Sequence, residues 1–206
     1  MFYICKNNNA MKTYSEYKTA ARIALRDHWG MAAVTALIYG VLSGLVHGFP
    51  ALGHFLLALP LSVGFAGTFR RLLTQGDAQL VDNFFEISIH DYLHTVATMA
   101  LRSVYVFLWS LLLIVPGIIK ALSYAMVPYL VKDRPELSAD QTIDLSVQMM
   151  EGHKSELFGL YLSFFGWFIL CIFTFGIGFV FLKPYVSTTV ADFYEDLKAG
   201  LPTYQA

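Results

Sequence analysis

Long apolar runs without charged side chains restrict what this chain can fold into. Residues 30–49 contain no Asp, Glu, Lys or Arg, and a helix of about 20 residues crosses roughly 30 Å of hydrocarbon. The run over 51–69 is free of these residues as well. In a bilayer such runs become helices, because a helix satisfies its backbone hydrogen bonds within one segment. The sequence therefore predicts an all-α, polytopic integral membrane protein.

Composition supports this prediction and excludes other classes. Hydrophobic residues make up 56% of the 206 residues and charged residues only 14%, whereas soluble domains carry roughly 25% charged residues. A net charge of −1 argues against a nucleic-acid partner, which requires a clustered basic surface. Cys5 lies near the start and Cys171 inside an apolar run, so no disulfide framework is indicated.

The apolar runs divide into three predicted helical hairpins. Their bounds are 30–49/51–69, 95–115/118–131 and 157–175/177–193, which gives about six spans. The alternative is four longer spans that are kinked at Pro116 and Gly176. Five Lys or Arg precede the first run, Arg70 and Arg71 follow the second, and the turn between the runs has none. By the positive-inside rule the N-terminus is cytosolic.

A single helical membrane domain is expected over residues 13–194. A flexible extension over 1–12 precedes it and a polar tail over 195–206 follows it. No secretory signal pattern appears at the start, and we expect Met11 to be the true first residue.

Two amphipathic interfacial helices are predicted, over 13–28 and 138–151. Thr13 with Glu16 and Ser138 with Gln141 have the spacing of capping boxes, and Gly152 marks a helix stop. The first helix carries a basic stripe, with a cation at every fourth position. The stripe suits the anionic inner surface of a membrane. Its residues are Lys18, Arg22 and Arg26.

The two later hairpins share an order of residues that resembles an internal repeat. The first copy runs from Trp109 through Gly117 to Pro128-Tyr129, and the second from Trp167 through Gly176 to Pro184-Tyr185. As a repeat, each copy is a broken hairpin of the kind that transporters use at binding sites. The alternative is two unrelated hairpins that are both rich in Trp, Gly and Pro.

Catalytic patterns are weak in this sequence. His90 and His94 have the spacing of a zinc-binding helix, but Asp91 stands where the general base Glu is required and no third ligand follows. We expect Asp140 and Asp144 to be solvated rather than to share a cation. No nucleophile elbow or phosphate-binding loop occurs. We therefore predict no enzyme, no cofactor and no metal site.

Cations inside apolar sequence are the best candidates for functional contacts. Arg102 and Lys120 are expected near the two bilayer faces, since a charge at the centre of a span costs about 2.5–3.5 kcal/mol. Lys183 either lies within the membrane, where it needs a partner or a water-filled cavity, or extends to the headgroups. The candidate contact residues are Lys120, His153, Lys154, Lys183 and Tyr185.

An ordered set of segments resembles a known family. The segments are LWSLLLIVPGIIKALSY over 108–124, MMEGHK over 149–154, LSFFGW over 162–167, TFGIG over 174–178, KPY over 183–185, and Phe193-Tyr194; Ala21-Arg22 and 25–29 fit as well. Together they resemble the bacterial multi-pass membrane proteins of domain of unknown function 975. The resemblance implies a bacterial cytoplasmic (inner) membrane and no particular reaction.

Two functions follow as hypotheses. The first is a non-enzymatic membrane protein that acts through contacts with the lipid bilayer, with another membrane protein or with a second copy of itself. The alternative is a small transporter or permease-like subunit with a site near the broken helices. An intramembrane enzyme that uses His90 and His94 ranks last.

Overall fold

The chain is helical throughout the part described by a computed structural model, which covers residues 11–47, 58–89, 91–112, 114–174 and 176–200. These ranges contain no strand, so the all-α prediction is confirmed. The helices are α1 (Tyr14–Leu25), α2 (Trp29–His47), α3 (Leu59–Gln75), α4 (Leu80–Ile89), α5 (Tyr92–Leu112), α6 (Ile114–Ser123), α7 (Val127–Asp133), α8 (Ala139–Met149), α9 (Lys154–Leu162), α10 (Phe165–Phe173) and α11 (Gly178–Gly200).

Local capping sets the starts of α1 and α8, as the sequence predicts. The Glu16 carboxylate accepts a hydrogen bond from the Thr13 backbone N–H at 2.7 Å. At α8, the Gln141 N–H donates to Ser138 Oγ at 3.3 Å, and the Gln141 side-chain oxygen accepts from the Ser138 N–H at 2.9 Å. Both arrangements satisfy backbone donors that have no partner inside the helix. Gly152 follows α8 with φ 83°, a conformation that favours glycine.

Helix α11 is the central element. It packs against α1, α2, α3 and α10, and every residue from Thr188 to Tyr194 is buried. The helix continues to Gly200, so residues 195–200 of the predicted polar tail form its last turns. A helix that is buried on nearly every side must receive partners from several other elements.

Helix α1 lies across α11 by its predicted apolar face. Tyr17, Ala21 and Leu25 are buried, and the Tyr17 ring meets the Phe193 ring edge-on with centroids 5.5 Å apart. The chain then bends by 98° between α1 and α2. The amphipathic pattern of the sequence therefore places α1 against the protein as well as toward its surroundings.

Helices α5 and α6 form a hairpin rather than one kinked helix. In a continuous helix, residues seven positions apart are separated by about 10.5 Å along the axis. Here a Cβ added to Gly117 would lie 2.6 Å from Ser110 Oγ and 2.9 Å from Ser110 Cα. The chain has therefore reversed before Gly117, and Pro116 lies in the first turn of α6, where its missing N–H has no intrahelical partner to lose.

The α10–α11 hairpin closes in the same way. A Cβ on Gly178 would lie 2.7 Å from Cys171 Sγ, again across seven positions, and Gly176 supplies a left-handed turn with φ 87°. Pro184 lies inside α11. The two hairpins are thus similar in one contact: in each, a small residue (Ser110 or Cys171) packs against a glycine seven positions later (Gly117 or Gly178).

The first predicted hairpin is described in part. Residues 51–57 of its second span lie outside the described residues, and Pro60 occupies the first turn of α3. Helix α3 continues past Arg70 and Arg71 to Gln75. Gly40 and Gly44 have the spacing of a helix-packing motif. A Cβ added to either glycine would have no atom of another element within 4 Å.

Length and hydropathy single out one helical stretch among the described residues as a candidate membrane span. It is Lys154–Phe173, with a mean hydropathy of 1.9. The bent pair of Tyr14–Leu25 and Trp29–Leu45 adds a second if it is counted as one span.

We predict that Gly117→Ala destabilises the protein by about 1–3 kcal/mol, because the new methyl group overpacks the α5–α6 contact. Thermal unfolding in detergent measures the change. Gly40→Ala is the matched control: it meets no atom within 4 Å and gains up to about 1 kcal/mol of helix propensity. Equal melting temperatures for the two variants would contradict the hairpin packing.

Candidate functional site

A charged network joins the C-terminal turns of α11 to α3 and α7. Arg70 Nη2 lies 2.7 Å from Asp133 Oδ1, and Arg70 Nε bonds Glu195. Lys198 Nζ lies 2.7 Å from Asp133 Oδ2, to which Tyr194 Oη also donates. Burial favours the neutral acid, but Lys198 and Arg70 outweigh it and hold the pKa of Asp133 below its ordinary value. These charges compensate one another, so the network is structural.

A second set of ion pairs holds the residues before α1 onto the same helix. Lys12 Nζ lies 2.7 Å from Asp192 Oδ1 and 3.0 Å from Asp196 Oδ1. Tyr17 Oη donates to Asp196 at 2.9 Å. Lys12 thus belongs to the folded contacts of α11, although the sequence suggests that it ends a flexible extension.

The central cavity of the bundle has a different charge balance. It has a volume of about 680 Å³, and residues of α3, α5, α6, α7, α9, α10 and α11 line it. Two cations, Arg102 and Lys183, are among the lining residues, and none of the described residues that line the cavity is Asp or Glu. Tyr129, Tyr161 and Ser62 supply hydroxyl groups. Cations without a carboxylate in a partly open, mostly apolar cavity favour an anionic ligand.

Arg102 lines this cavity from α5, although the sequence suggests a position near a bilayer face. Its Nε atom is buried and has no hydrogen-bond partner in the part of the chain that the structure describes. An unpaired guanidinium N–H in a low-dielectric interior is costly. The arrangement therefore leaves a donor available to a bound group.

Lys183 has an aromatic rather than an acidic partner. Its Nζ lies 3.8 Å from the centroid of the Tyr39 ring and 5.8 Å from that of Phe65. Lys183 is exposed, and cation–π contacts at exposed sites contribute about 0.5–1 kcal/mol. The rings stabilise the ammonium without neutralising it, so its charge remains available to the cavity.

The other candidate contact residues do not join this cavity. Lys120 Nζ lies 4.8 Å above the Trp109 ring, His153 Nδ1 is 2.8 Å from Glu156 Oε2, and Lys154 begins α9. Tyr185 lines a separate cleft between α1 and the α10–α11 hairpin. The five candidates therefore lie at several places rather than at one.

The metal hypothesis gains no support from the described residues. His90 lies outside them, and the Nε2 atom of His94 is 2.8 Å from the Leu137 carbonyl oxygen. Asp140 and Asp144 are both exposed. No group of three or more His, Cys, Asp or Glu suited to a metal ion occurs in the described ranges.

The sequence reasoning missed the charged partners of α11. Asp192, Glu195 and Asp196 fall within little more than one helical turn, a density of carboxylates that requires cations nearby. The close spacing of these carboxylates is the sequence feature from which cationic partners could have been predicted. The identity of the partners, Lys12 and Arg70, depends on tertiary contacts.

The described residues define an all-helical protein with a cavity that two cations line. The chain belongs to the family described as Protein of unknown function (DUF975), which matches residues 87–200. The match confirms the resemblance over that range and leaves the N-terminal segments outside it. No curated protein and no solved structure matches the chain.

We predict that Arg70→Gln destabilises the protein by about 2–3 kcal/mol, somewhat less than the 3–5 kcal/mol for a fully buried pair, since Asp133 and Glu195 lose their shared cation. Thermal unfolding in detergent gives the loss. Arg71→Gln is the control: its pair with the mostly exposed Glu86 contributes at most about 1 kcal/mol, and its hydrogen bond to Asn83 contributes about 1 kcal/mol. Equal melting temperatures for Arg70→Gln and Arg71→Gln would show that the network contributes no more to stability than the contacts of Arg71 with Glu86 and Asn83.

Proposed function

We propose that this chain is an integral protein of the bacterial cytoplasmic membrane, with six spans in three hairpins, that acts without catalysis through contacts with lipid. The exposed apolar surface of α10 carries the proposal. All seven of its large apolar residues are 42–78% exposed. Monomeric soluble proteins rarely expose contiguous apolar patches of this kind, whereas hydrocarbon solvates them.

Other helices extend this exposed apolar surface. On α2, exposed residues recur every three or four positions, at Met31, Val34, Leu37, Val41 and Leu45. This spacing forms one continuous stripe on a helix. Exposed apolar side chains on α5 and α6 are Leu93, Val104, Phe107, Leu108, Trp109, Leu111, Val115, Ile118 and Ile119. Lipid around the bundle accounts for these faces together.

The orientation follows from the basic residues. The charged network joins Arg70 to the last turns of α11, and α1 with its cations packs on the same helix. The positive-inside rule assigns this end of the bundle to the cytosol. A partner membrane protein or a second copy of the chain are further contacts that the exposed apolar faces suit.

Cysteine accessibility tests the six-span topology. We expect Asp140→Cys to react with a membrane-impermeant maleimide only after cells are opened, in a background with Cys5→Ser and Cys171→Ala. Pro50→Cys, in the predicted external turn between the runs 30–49 and 51–69, is the control that reacts in intact cells. Labelling of Asp140→Cys in intact cells would refute this topology, and extraction of the protein by alkaline carbonate would refute membrane integration itself.

A second candidate function is that of a small transporter for an organic anion. The central cavity favours it, since Arg102 and Lys183 face apolar and aromatic walls without a carboxylate. A charge retained within the membrane is by default a functional-site hypothesis. The cavity chemistry suits an anionic group attached to an apolar body.

Uptake of radiolabelled benzenesulfonate into proteoliposomes tests this candidate. We expect saturable uptake by the unchanged protein and at least a tenfold loss in Arg102→Gln and in Lys183→Gln, since about 1.4 kcal/mol of lost binding corresponds to a factor of ten. Lys120→Gln is the control, because Lys120 contacts Trp109 outside the cavity. Equal uptake by all four proteins, or none by any, would count against transport.

A further inference from the structure

A cleft at the side of the bundle has a basic end and an apolar end. Its volume is about 580 Å³, and it lies between the α1–α2 bend and the α10–α11 hairpin. Arg22 and Arg26 line the basic end, and the rest of its lining is mainly apolar or aromatic. No Asp or Glu lines it. This combination has the form of a site for an amphiphile with an anionic head.

The Arg22 guanidinium is oriented by the protein. Its Nε donates to Tyr185 Oη at 3.0 Å, and its central carbon lies 5.7 Å from the centroid of that ring. The neighbouring cation Lys18 donates to the Ser163 carbonyl at 2.9 Å. Burial, together with the positive charge of Arg22, lowers the pKa of Lys18. The basic end therefore carries a concentrated positive potential.

The apolar part of the cleft runs along the α10–α11 hairpin. Helix α10 begins at Phe165, close to the Lys18 contact at Ser163, and α11 returns from Gly178 to Tyr185. Gly178 and Tyr185 both line the cleft, and seven helical residues span about 10.5 Å. The apolar lining thus extends along the hairpin, away from the arginines.

We propose that this cleft binds an anionic phospholipid, with its phosphate between Arg22 and Arg26 and an acyl chain along Trp167, Leu170 and Phe181. The inference rests on the proposed membrane location. Charge complementarity selects the headgroup: neither arginine forms an ion pair with a carboxylate anywhere in the described ranges, and guanidinium groups bind phosphate well. The apolar lining selects a lipid over a free phosphate, which gains nothing from it.

Quenching of tryptophan fluorescence by brominated lipid tests the site. The Trp109→Phe variant keeps Trp29 and Trp167, which both line the cleft. It is reconstituted into vesicles of phosphatidylcholine that contain a small fraction of dibrominated phosphatidylglycerol or, for comparison, dibrominated phosphatidylcholine with the same chains. The ratio of the two binding constants reports the headgroup preference at the cleft.

We expect this ratio to exceed one clearly and to fall by about fivefold in Arg26→Gln and about 25-fold in Arg22→Gln/Arg26→Gln, since each cation contributes about 1 kcal/mol toward anionic lipid. Arg26 lines the cleft, and its side chain forms no hydrogen bond within the described fold. A fall of the ratio in Arg26→Gln therefore reports lost lipid binding rather than unfolding. Arg134→Gln is the control and should leave the ratio unchanged, because Arg134 pairs with Glu136 elsewhere. Soluble glycerol phosphate should not compete.

Two outcomes separate this inference from the proposed function. If the protein integrates into the vesicles and keeps its melting temperature, but the ratio is near one or is the same in Arg26→Gln and Arg134→Gln, the lipid site is refuted and the membrane location stands. If alkaline carbonate strips the protein from the vesicles, the membrane location fails first. Competition by glycerol phosphate would assign the cleft to a free phosphate instead.

Discussion

Neutralisation of the carboxylates on α11 determines how the rest of the bundle assembles. Asp192, Glu195 and Asp196 lie on adjacent turns, so they repel one another until cations arrive. Those cations come from sequence-distant places: Lys12 before α1 and Arg70 in α3. Because leaving a buried charge unpaired is strongly destabilising, α1 and α3 must dock on α11 for the helix to be buried.

The cost of an unpaired charge also bears on the central cavity, where cations lie without acidic partners. Asp133 has two cationic partners and a tyrosine hydroxyl, whereas Arg102 and Lys183 line a cavity that contains no carboxylate. Hydrophobic replacements at such positions would remove the cost of unpaired charge. Most charges at one end of the bundle are paired, whereas Arg102 and Lys183 line a cavity without a carboxylate among the described residues, and this difference supports the proposal of an anionic ligand there.

Local signals made part of this fold predictable. Capping residues gave the starts of α1 and α8, and apolar periodicity gave the buried face of α1, because both depend only on neighbours in sequence. The hairpin turns were placed less well. Pro116 and Gly117 marked a bend, but the reversal precedes them, since Gly117 serves the close contact with Ser110. The partners of Arg70 lie 63 and 125 residues away, and those of Lys12 lie 180 and 184 residues away, beyond the reach of any local pattern.

The Lys-Pro-Tyr segment of α11 shows why the candidate residues could not be grouped from sequence alone. Lys183 and Tyr185 are two positions apart, which on a helix is a rotation of about 200°. They therefore face nearly opposite ways, Lys183 into the central cavity and Tyr185 into the side cleft. Leu182 lines both spaces, so one turn of one helix forms the wall between them. The residues that looked like a single functional cluster line two separate cavities, one within the bundle and one at its side.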